Sequence, residues 1–348
     1  MKIVVLAGGL SPERDVSKAS SSLIANALLS KGHQVAVIDL YEGIENGVEL
    51  DSLFREGTGD LFSYEIPETE PDLEALIASF GGRRAWVGPR VIEICKIADS
   101  VFLGLHGSYG ENGQLQAVLD SNDIAYTGSG YLGCALAMDK DISKAIIASR
   151  GIKTAKWFVK PAEDITLEEV KKEIGIPCVV KPIGCGSSCG VSIVKTDDEF
   201  NKAISYAASY KQEVIIEAFI TGREITVGVV NEKALPIIEI IPHEGFYDYK
   251  NKYQAGLTDH ICPAKFTEEQ TKRAQGLAVE IFRALRMKAY GRIDMIYDEK
   301  ADDFWFIEAN NLPGMTNTSL VPDAAKVAGI SYEDLCDRIA RSCGKEEI

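Results

Sequence analysis

The apolar and polar positions of the first forty residues predict strand, turn, helix and strand in succession. Ile3–Ala7 is a short apolar run ending at Gly8-Gly9, helical spacing covers about Val16–Ser30, and Gln34–Leu40 is a second apolar run. This βαβ opening implies a parallel sheet. Residues 41–95, rich in Glu and Gly, read as an insertion of open role. A strand at Ser100–Leu105 ends in Leu105-His106-Gly107-Ser108-Tyr109-Gly110-Glu111-Asn112-Gly113, and helical periodicity then runs to about Asp120. After Tyr126-Thr127-Gly128-Ser129-Gly130 comes a helix holding Asp139 and Lys140. Strands at Cys178–Lys181, Val191–Lys195, Val214–Phe219 and Glu224–Val230 alternate with helices near 167–174 and 197–209. A polar, aromatic segment follows at His243–Thr258, and further helices are expected near 267–286 and 332–342.

Between those last helices, Gly291-Arg292-Ile293-Asp294-Met295 and Phe306-Ile307-Glu308-Ala309-Asn310-Asn311 flank the polar stretch 298–303, the pattern of a hairpin. Strand side chains alternate faces, so Glu308 and Asn310 point the same way. One register sets Asp294 opposite Glu308, and a slip by one residue would reverse that. Two carboxylates and a carboxamide with no Cys or His suit Mg²⁺ held partly by substrate phosphates better than Zn²⁺. The plainer reading is a solvated acidic hairpin. The apolar neighbours Phe304, Trp305, Phe306 and Ile307 weigh against it, because Glu308 then needs a partner.

Composition narrows the class. A chain of 348 residues accommodates about two or three domains with substantial cores, and no apolar run approaches membrane-spanning length. The first residues lack a signal-peptide pattern. A formal charge of -15 argues against nucleic acid and anionic membranes as partners, so any phosphate site must be local. The eight cysteines are scattered, several in apolar settings, as expected of reduced thiols in a cytoplasmic protein. Cys185 and Cys189 bracket a Gly-Ser-Ser loop, where two small residues in a tight loop are favoured over a redox pair.

Two loops carry candidate nucleotide chemistry. Lys181-Pro182-Ile183-Gly184-Cys185-Gly186-Ser187-Ser188-Cys189-Gly190 offers glycines, hydroxyls and consecutive N–H groups to phosphate oxygens, with Lys181 as a point charge. It is not a Walker A loop, and a plain hairpin is its alternative. In the segment Glu217–Glu224, backbone groups of Ala218–Ile220 suit an adenine edge and Glu217 or Glu224 suits ribose hydroxyls; an ordinary strand–turn–strand is the alternative. The Gly8-Gly9 turn lacks G-x-G-x-x-G spacing, so Asp39 is read as a strand end rather than a ribose contact.

Together these motifs resemble the ATP-grasp fold, and specifically the D-alanine–D-alanine ligase family, from Gly8 to Pro322 apart from 41–95. The resemblance rests on Gly8-Gly9-x-Ser11-x-Glu13, Leu105-His106-Gly107, Gly128-Ser129-Gly130 with Met138-Asp139-Lys140, and Lys181-Pro182 with Gly186-Ser187-Ser188. It continues through Tyr247-Asp248-Tyr249 with Lys252-Tyr253, Gly291-Arg292-Ile293-Asp294, and Glu308-Ala309-Asn310 with Pro313-Gly314-Met315-Thr316 and Ser319-Leu320. It implies an α/β (α+β) architecture, an ATP-grasp fold behind an N-terminal Rossmann-like parallel-sheet domain. The corresponding divisions are 1–128, 129–215 and 216–348.

The family reaction is ATP-driven condensation of two D-alanines through an acylphosphate, for peptidoglycan precursors. The resemblance assigns Mg²⁺, or Mn²⁺ in its place, to Asp294, Glu308 and Asn310. It assigns ATP to Lys140, Lys181, Glu217, Phe219, Ile220, Glu224 and Lys252. Glu13, near His106, would meet the first ammonium, Arg292 and the Gly314 N–H the oxyanion, and Ser319 and Leu320 the second carboxylate. Tyr253, Ser187 and Glu13 would latch a lid at Phe246–Thr258. A cytoplasmic homodimer is implied. Cys185, Asn112 and Asn311 depart from the commoner Glu, Asp and Thr. Tyr253 favours an amine nucleophile over D-lactate, and D-serine is the alternative second substrate, since an apolar pocket rejects one hydroxyl poorly. Rivals are another ATP-grasp carboxylate–amine ligase, an NAD-dependent dehydrogenase and a non-catalytic nucleotide-binding module.

Overall fold

The computed structural model describes residues 1–67, 69, 71–186, 188–243, 257–316 and 319–343, so Ser187, Lys252, Tyr253 and most of the expected lid lie outside the described residues. The chain opens with β1 (Lys2–Ala7), α1 (Arg14–Ser30), β2 (Gln34–Asp39), α2 (Leu73–Ser79), α3 (Val91–Lys96) and β3 (Ser100–Leu103). The three strands form a parallel sheet in the order β2-β1-β3. β1 is apolar from Ile3 to Ala7 because both of its faces are covered. The stretch read as an insertion contributes to this core: Val91, Ile94 and Cys95 of α3 are buried in it.

Next come α4 (Ser108–Glu111), α5 (Gln114–Ser121), α6 (Tyr131–Met138) and α7 (Lys140–Ser149). The one helix expected around Asp139 and Lys140 is two. Asp139 is extended (φ -80°, ψ 109°) and its carboxylate accepts from the Ile142 N–H at 2.9 Å. Asp is a strong N-cap, and here it starts a new helix rather than continuing the old one.

β4 (Trp157–Lys160), α8 (Leu167–Glu173), β5 (Cys178–Pro182), β6 (Ser192–Val194), α9 (Phe200–Ala208) and β7 (Val214–Ala218) build a second, antiparallel sheet in the order β4-β7-β5-β6. β8 (Arg223–Val230), β9 (Lys233–Ala234), β10 (Ile238–Pro242), β11 (Thr258–Ile261), β12 (Tyr290–Asp298) and β13 (Asp303–Asn310) form a third, in the order β11-β10-β8-β12-β13 with β9 beside β8. Helix α10 (Glu268–Ala284) packs on it, and α11 (Leu320–Val327) and α12 (Tyr332–Arg341) close the chain. The two antiparallel sheets are joined where the Phe306 N–H donates to the Lys153 carbonyl at 2.8 Å.

Helix α12 returns to the parallel sheet. Leu335, Cys336, Ile339 and Ala340 lie in its core, and the Ser100 hydroxyl donates to the Ala340 carbonyl at 3.2 Å. Burial of Leu335 and Ile339 contributes roughly 1.5–3 kcal/mol each. Lys31 and Asp334 at 2.5 Å, and His33 and Asp337 at 2.7 Å, add polar contacts along the same seam. No helix among the described residues is long and apolar enough to cross a membrane.

Candidate active site

The hairpin adopts the register that sets Asp294 opposite Glu308, with Arg292 opposite Asn310 and a bulge after Asp294. Four polar side chains thus share one strand face. Asp294 is their hub: Arg292 donates Nε to Oδ1 and Nη2 to Oδ2, both at 2.9 Å, Thr226 donates to Oδ1 at 2.6 Å and the Asn310 amide nitrogen to Oδ2 at 3.0 Å. Asp294 is 6 % exposed, and a carboxylate that buried requires this density of donors. Asn310 spends its nitrogen here, so its carbonyl oxygen is the atom it has to offer a cation. The partner expected for Glu308 is Lys140, at 3.7 Å.

Between the second and third sheets lies a cavity of about 570 Å³ that touches Lys140, Lys181, Glu217, Phe219, Ile220, Glu224, Asp294 and Glu308. Lys140 opens α7, and its ammonium donates to the Cys185 carbonyl at 2.6 Å. Burial pulls the Lys140 ammonium below its ordinary range, opposed by Glu308. Glu217 on β7 is held by Lys181 at 2.9 Å and by Lys144 at 3.1 Å. Burial pushes the Glu217 carboxyl up, but Lys181 and Lys144 more than offset this and hold it below its usual range. Lys144 was not singled out from the sequence. Its signal was its place four residues after Lys140, the same face one turn on.

The N-terminal half brings a second group to the edge of this region. Ser11 accepts from the Glu13 N–H at 3.1 Å at the start of α1. A Cβ at Gly107, whose φ is +81°, would stand 3.4 Å from Glu13 Oε2 and 2.5 Å from Ser11 Oγ, so this close approach demands glycine. His106 sits between Ser20, 3.4 Å from Nε2, and Glu111, 3.9 Å from Nδ1. Burial draws the His106 imidazole down, with Glu13 pulling the other way. Glu111, also passed over in the sequence, is pushed up to about 8 by burial, reinforced by Glu13. A small cavity of about 30 Å³ bounded by Glu111, Lys140, Glu308 and Asn310 adjoins the larger one.

Asp39 ends β2 as expected and binds cations rather than a ribose, with Arg14 at 2.9 Å and Lys18 at 3.0 Å. On the far side of the hairpin, Gly314 lies in the loop before α11. Ser319 precedes that helix, yet its hydroxyl is not used to cap it. It accepts from the Thr316 N–H at 3.0 Å and lies 2.8 Å from Thr316 Oγ1. Among the described residues no side chain caps the first N–H groups of α11, those of Leu320 and Val321. The Leu320 side chain is buried in the core shared with the parallel sheet, so only its backbone faces this end.

The chain matches known proteins over nearly its whole length. Residues 2–129 match the family described as D-ala D-ala ligase N-terminus and residues 146–341 the D-ala D-ala ligase C-terminus. The chain is 44% identical over 354 residues to a D-alanine–D-alanine ligase of Pediococcus pentosaceus, covering 100% of this chain and 98% of that protein. It is 41% identical over 347 residues to that of Lacticaseibacillus casei, covering 96% and 93%. Among solved structures it resembles the D-alanine–D-alanine ligase of Bacillus anthracis complexed with ATP, with TM-score 0.74, 31% identity and coverage of 98% and 96%. It also resembles the VanG D-Ala:D-Ser ligase of Enterococcus faecalis, with TM-score 0.74, 28% identity and coverage of 97% and 98%.

Proposed function

The chain belongs to the D-alanine–D-alanine ligase family, and from that premise we propose how its own residues join two D-alanines. ATP is the co-substrate, an acylphosphate of the first D-alanine is the intermediate, and D-alanyl-D-alanine for peptidoglycan is the product. The observation that carries the reading is a single cavity that touches two buried lysines, Lys140 and Lys181, together with the acids Asp294 and Glu308.

Lys140 and Lys181 hold the ATP phosphates, while Glu217, Phe219, Ile220 and Glu224 receive the adenosine. Glu13 pairs with the ammonium of the first D-alanine, and His106 beside it stays neutral through burial. Asp294, Glu308 and Asn310 offer hard oxygens on one face, a donor set that fits Mg²⁺ or Mn²⁺ completed by phosphate and water. Among the described residues no three His, Cys, Asp or Glu side chains converge on one point, so on this reading substrate phosphate and water would supply the remaining ligands. When bound, that cation offsets the repulsion between the D-alanine carboxylate and the γ-phosphate.

The second D-alanine attacks the acylphosphate through its amine. Arg292, its plane fixed by Asp294, and the Gly314 N–H stabilise the tetrahedral oxyanion; fixed donors need no reorganisation as charge develops. Ser319 and the Leu320 N–H take the second carboxylate. Water would destroy the acylphosphate, so the site has to be covered. Lys252, on the phosphates, and the Tyr253–Ser187–Glu13 latch keep the roles that family resemblance implies. A homodimer in the cytoplasm, with divisions at 128/129 and 215/216, completes the proposal; sedimentation and limited proteolysis check its assembly and boundaries.

D-Alanine alone should trigger phosphate release that depends on ATP and Mg²⁺, with one dipeptide formed per phosphate. No dipeptide from D-alanine, but a mixed product with D-serine or D-lactate, would overturn the assignment of the second substrate.

A further inference from the structure

A lysine that takes no part in the mechanism above lies at the back of the nucleotide cavity. Lys144 is 1 % exposed, deeper than Lys140 or Lys181 at 5 % each. Its ammonium reaches Glu217 Oε1 at 3.1 Å and the Thr154 hydroxyl at 2.7 Å, and lies 5.1 Å from the centre of the Trp157 ring. Thr154 in turn donates to the Phe306 carbonyl at 3.0 Å, and the Trp157 indole to Asp141 at 2.7 Å. One side chain thereby touches groups tied to α7, β4, β7 and β13. A buried charge is costly, and a neutral residue would pack there more readily.

We infer that Lys144 is a positioning residue for the nucleotide: it clamps one oxygen of Glu217, so that the other holds Lys181 at the cavity and the group stays net cationic. The charge balance supports this. Glu217 with Lys181 alone is neutral, and the carboxylate then competes with phosphate for the cation nearest to it. With Lys144 the trio carries a single positive charge, and the ion pair at Glu217 Oε1 offsets the carboxylate without the whole of Lys181. The inference rests on the nucleotide site proposed above.

The clamp has a signature that simple packing lacks. Burial brings the Lys144 ammonium down to about 8, against the pull of Glu217. The groups around it are Glu217 on β7, Lys181 on β5, Trp157 and its partner Asp141, the uncharged Thr154, and Lys140 one turn back on α7. A bound polyanion favours the protonated form, so near pH 8 ATP binding takes up as much as about half a proton at this site.

Calorimetric titration of the purified protein with ATP, without D-alanine, in pH 8 buffers of different ionisation enthalpy measures affinity and proton uptake together. Lys144→Met should weaken ATP binding roughly tenfold or more and reduce the uptake, with KM for ATP rising by more than kcat falls. Lys144→Arg should recover part of the affinity but not the uptake, because its guanidinium does not titrate. Equal affinity or equal uptake in Lys144→Met and wild type overturns the clamp. Should Lys144→Met not fold, Thr154→Val, which loosens the lysine and keeps its charge, must weaken ATP binding severalfold, and unchanged binding overturns the clamp. Wild type that binds ATP with this linkage yet makes no dipeptide leaves the clamp standing and overturns the ligase reading; wild type that binds no ATP overturns both.

Discussion

Arg292 grips Asp294, its neighbour two positions along the same strand, by two parallel bonds of 2.9 Å, Nε to Oδ1 and Nη2 to Oδ2. Side chains at i and i+2 of a strand share a face, so β12 presents an anion and a cation side by side with the guanidinium plane fixed. Lysine cannot reproduce that fork. Arg292→Lys should therefore keep the fold and lower kcat about 10²-fold, the order of loss for one oxyanion donor. Dipeptide formation at saturating substrates is the measurement, and a rate within threefold of wild type would remove Arg292 from that role.

Glu308 stands across from Asp294 and 3.7 Å from Lys140. Its removal takes away the oxygen proposed as a metal ligand and the partner that moderates a buried lysine. Glu308→Ala should reduce turnover to a trace. A Mg²⁺ titration of residual phosphate release separates the two effects: a higher Mg²⁺ requirement is expected, and retained activity with the wild-type requirement would refute the metal assignment.

Glu111 makes stability depend on pH. Its carboxyl is pushed from an ordinary 4.5 up to about 8, chiefly by burial and then by Glu13. The unfolded chain ionises near the ordinary value and the folded chain near the raised one. Between the two the folded state binds the extra proton, so this group lowers stability as pH rises. Glu111→Gln keeps the shape and removes the titration. The surrounding charges reduce the full effect, so its stability relative to wild type should improve by about 2 kcal/mol from pH 5 to pH 8. Denaturant unfolding across that range is the check; a constant difference would mean that Glu111 is already ionised at neutral pH.

The hairpin was legible because apolar residues on both strands and a polar turn left few registers open, and burial selected the one that pairs Asp294 with Glu308. The βαβ start was legible for the same reason, since Ile3–Ala7 can only be a covered strand. Glu111 and Lys144 were not. Both sit on helices where a charged residue ordinarily faces water, and what buries Lys144 is Glu217, which arrives from a strand 73 residues later. β4 and β11 also went unread, because four residues with none buried carry too little alternation to announce a strand. The break at Asp139 depended on a cap bond, which no periodicity contains.

Gly314 tests the end of the site proposed for the second substrate. Its backbone is not in the left-handed region, so space and not conformation excludes a side chain. An added Cβ would lie 2.8 Å from Ser319 Oγ and 3.5 Å from Ser319 Cβ. The serine hydroxyl can give way only by rotating, and rotation breaks its contacts with the Thr316 N–H at 3.0 Å and Thr316 Oγ1 at 2.8 Å. Gly314→Ala should therefore cost about 1–2 kcal/mol of stability and raise KM for the second D-alanine about tenfold. ATP binding should stay near wild type, because the cavity edge at Lys181 and Glu217 is untouched. Ser319→Ala removes the clash along with the hydroxyl, so the double variant should be no worse than Ser319→Ala alone. Fully additive losses would mean that the added methyl disturbs the site by a route other than Ser319. A rise in KM for ATP in place of D-alanine would move this loop out of the second-substrate subsite.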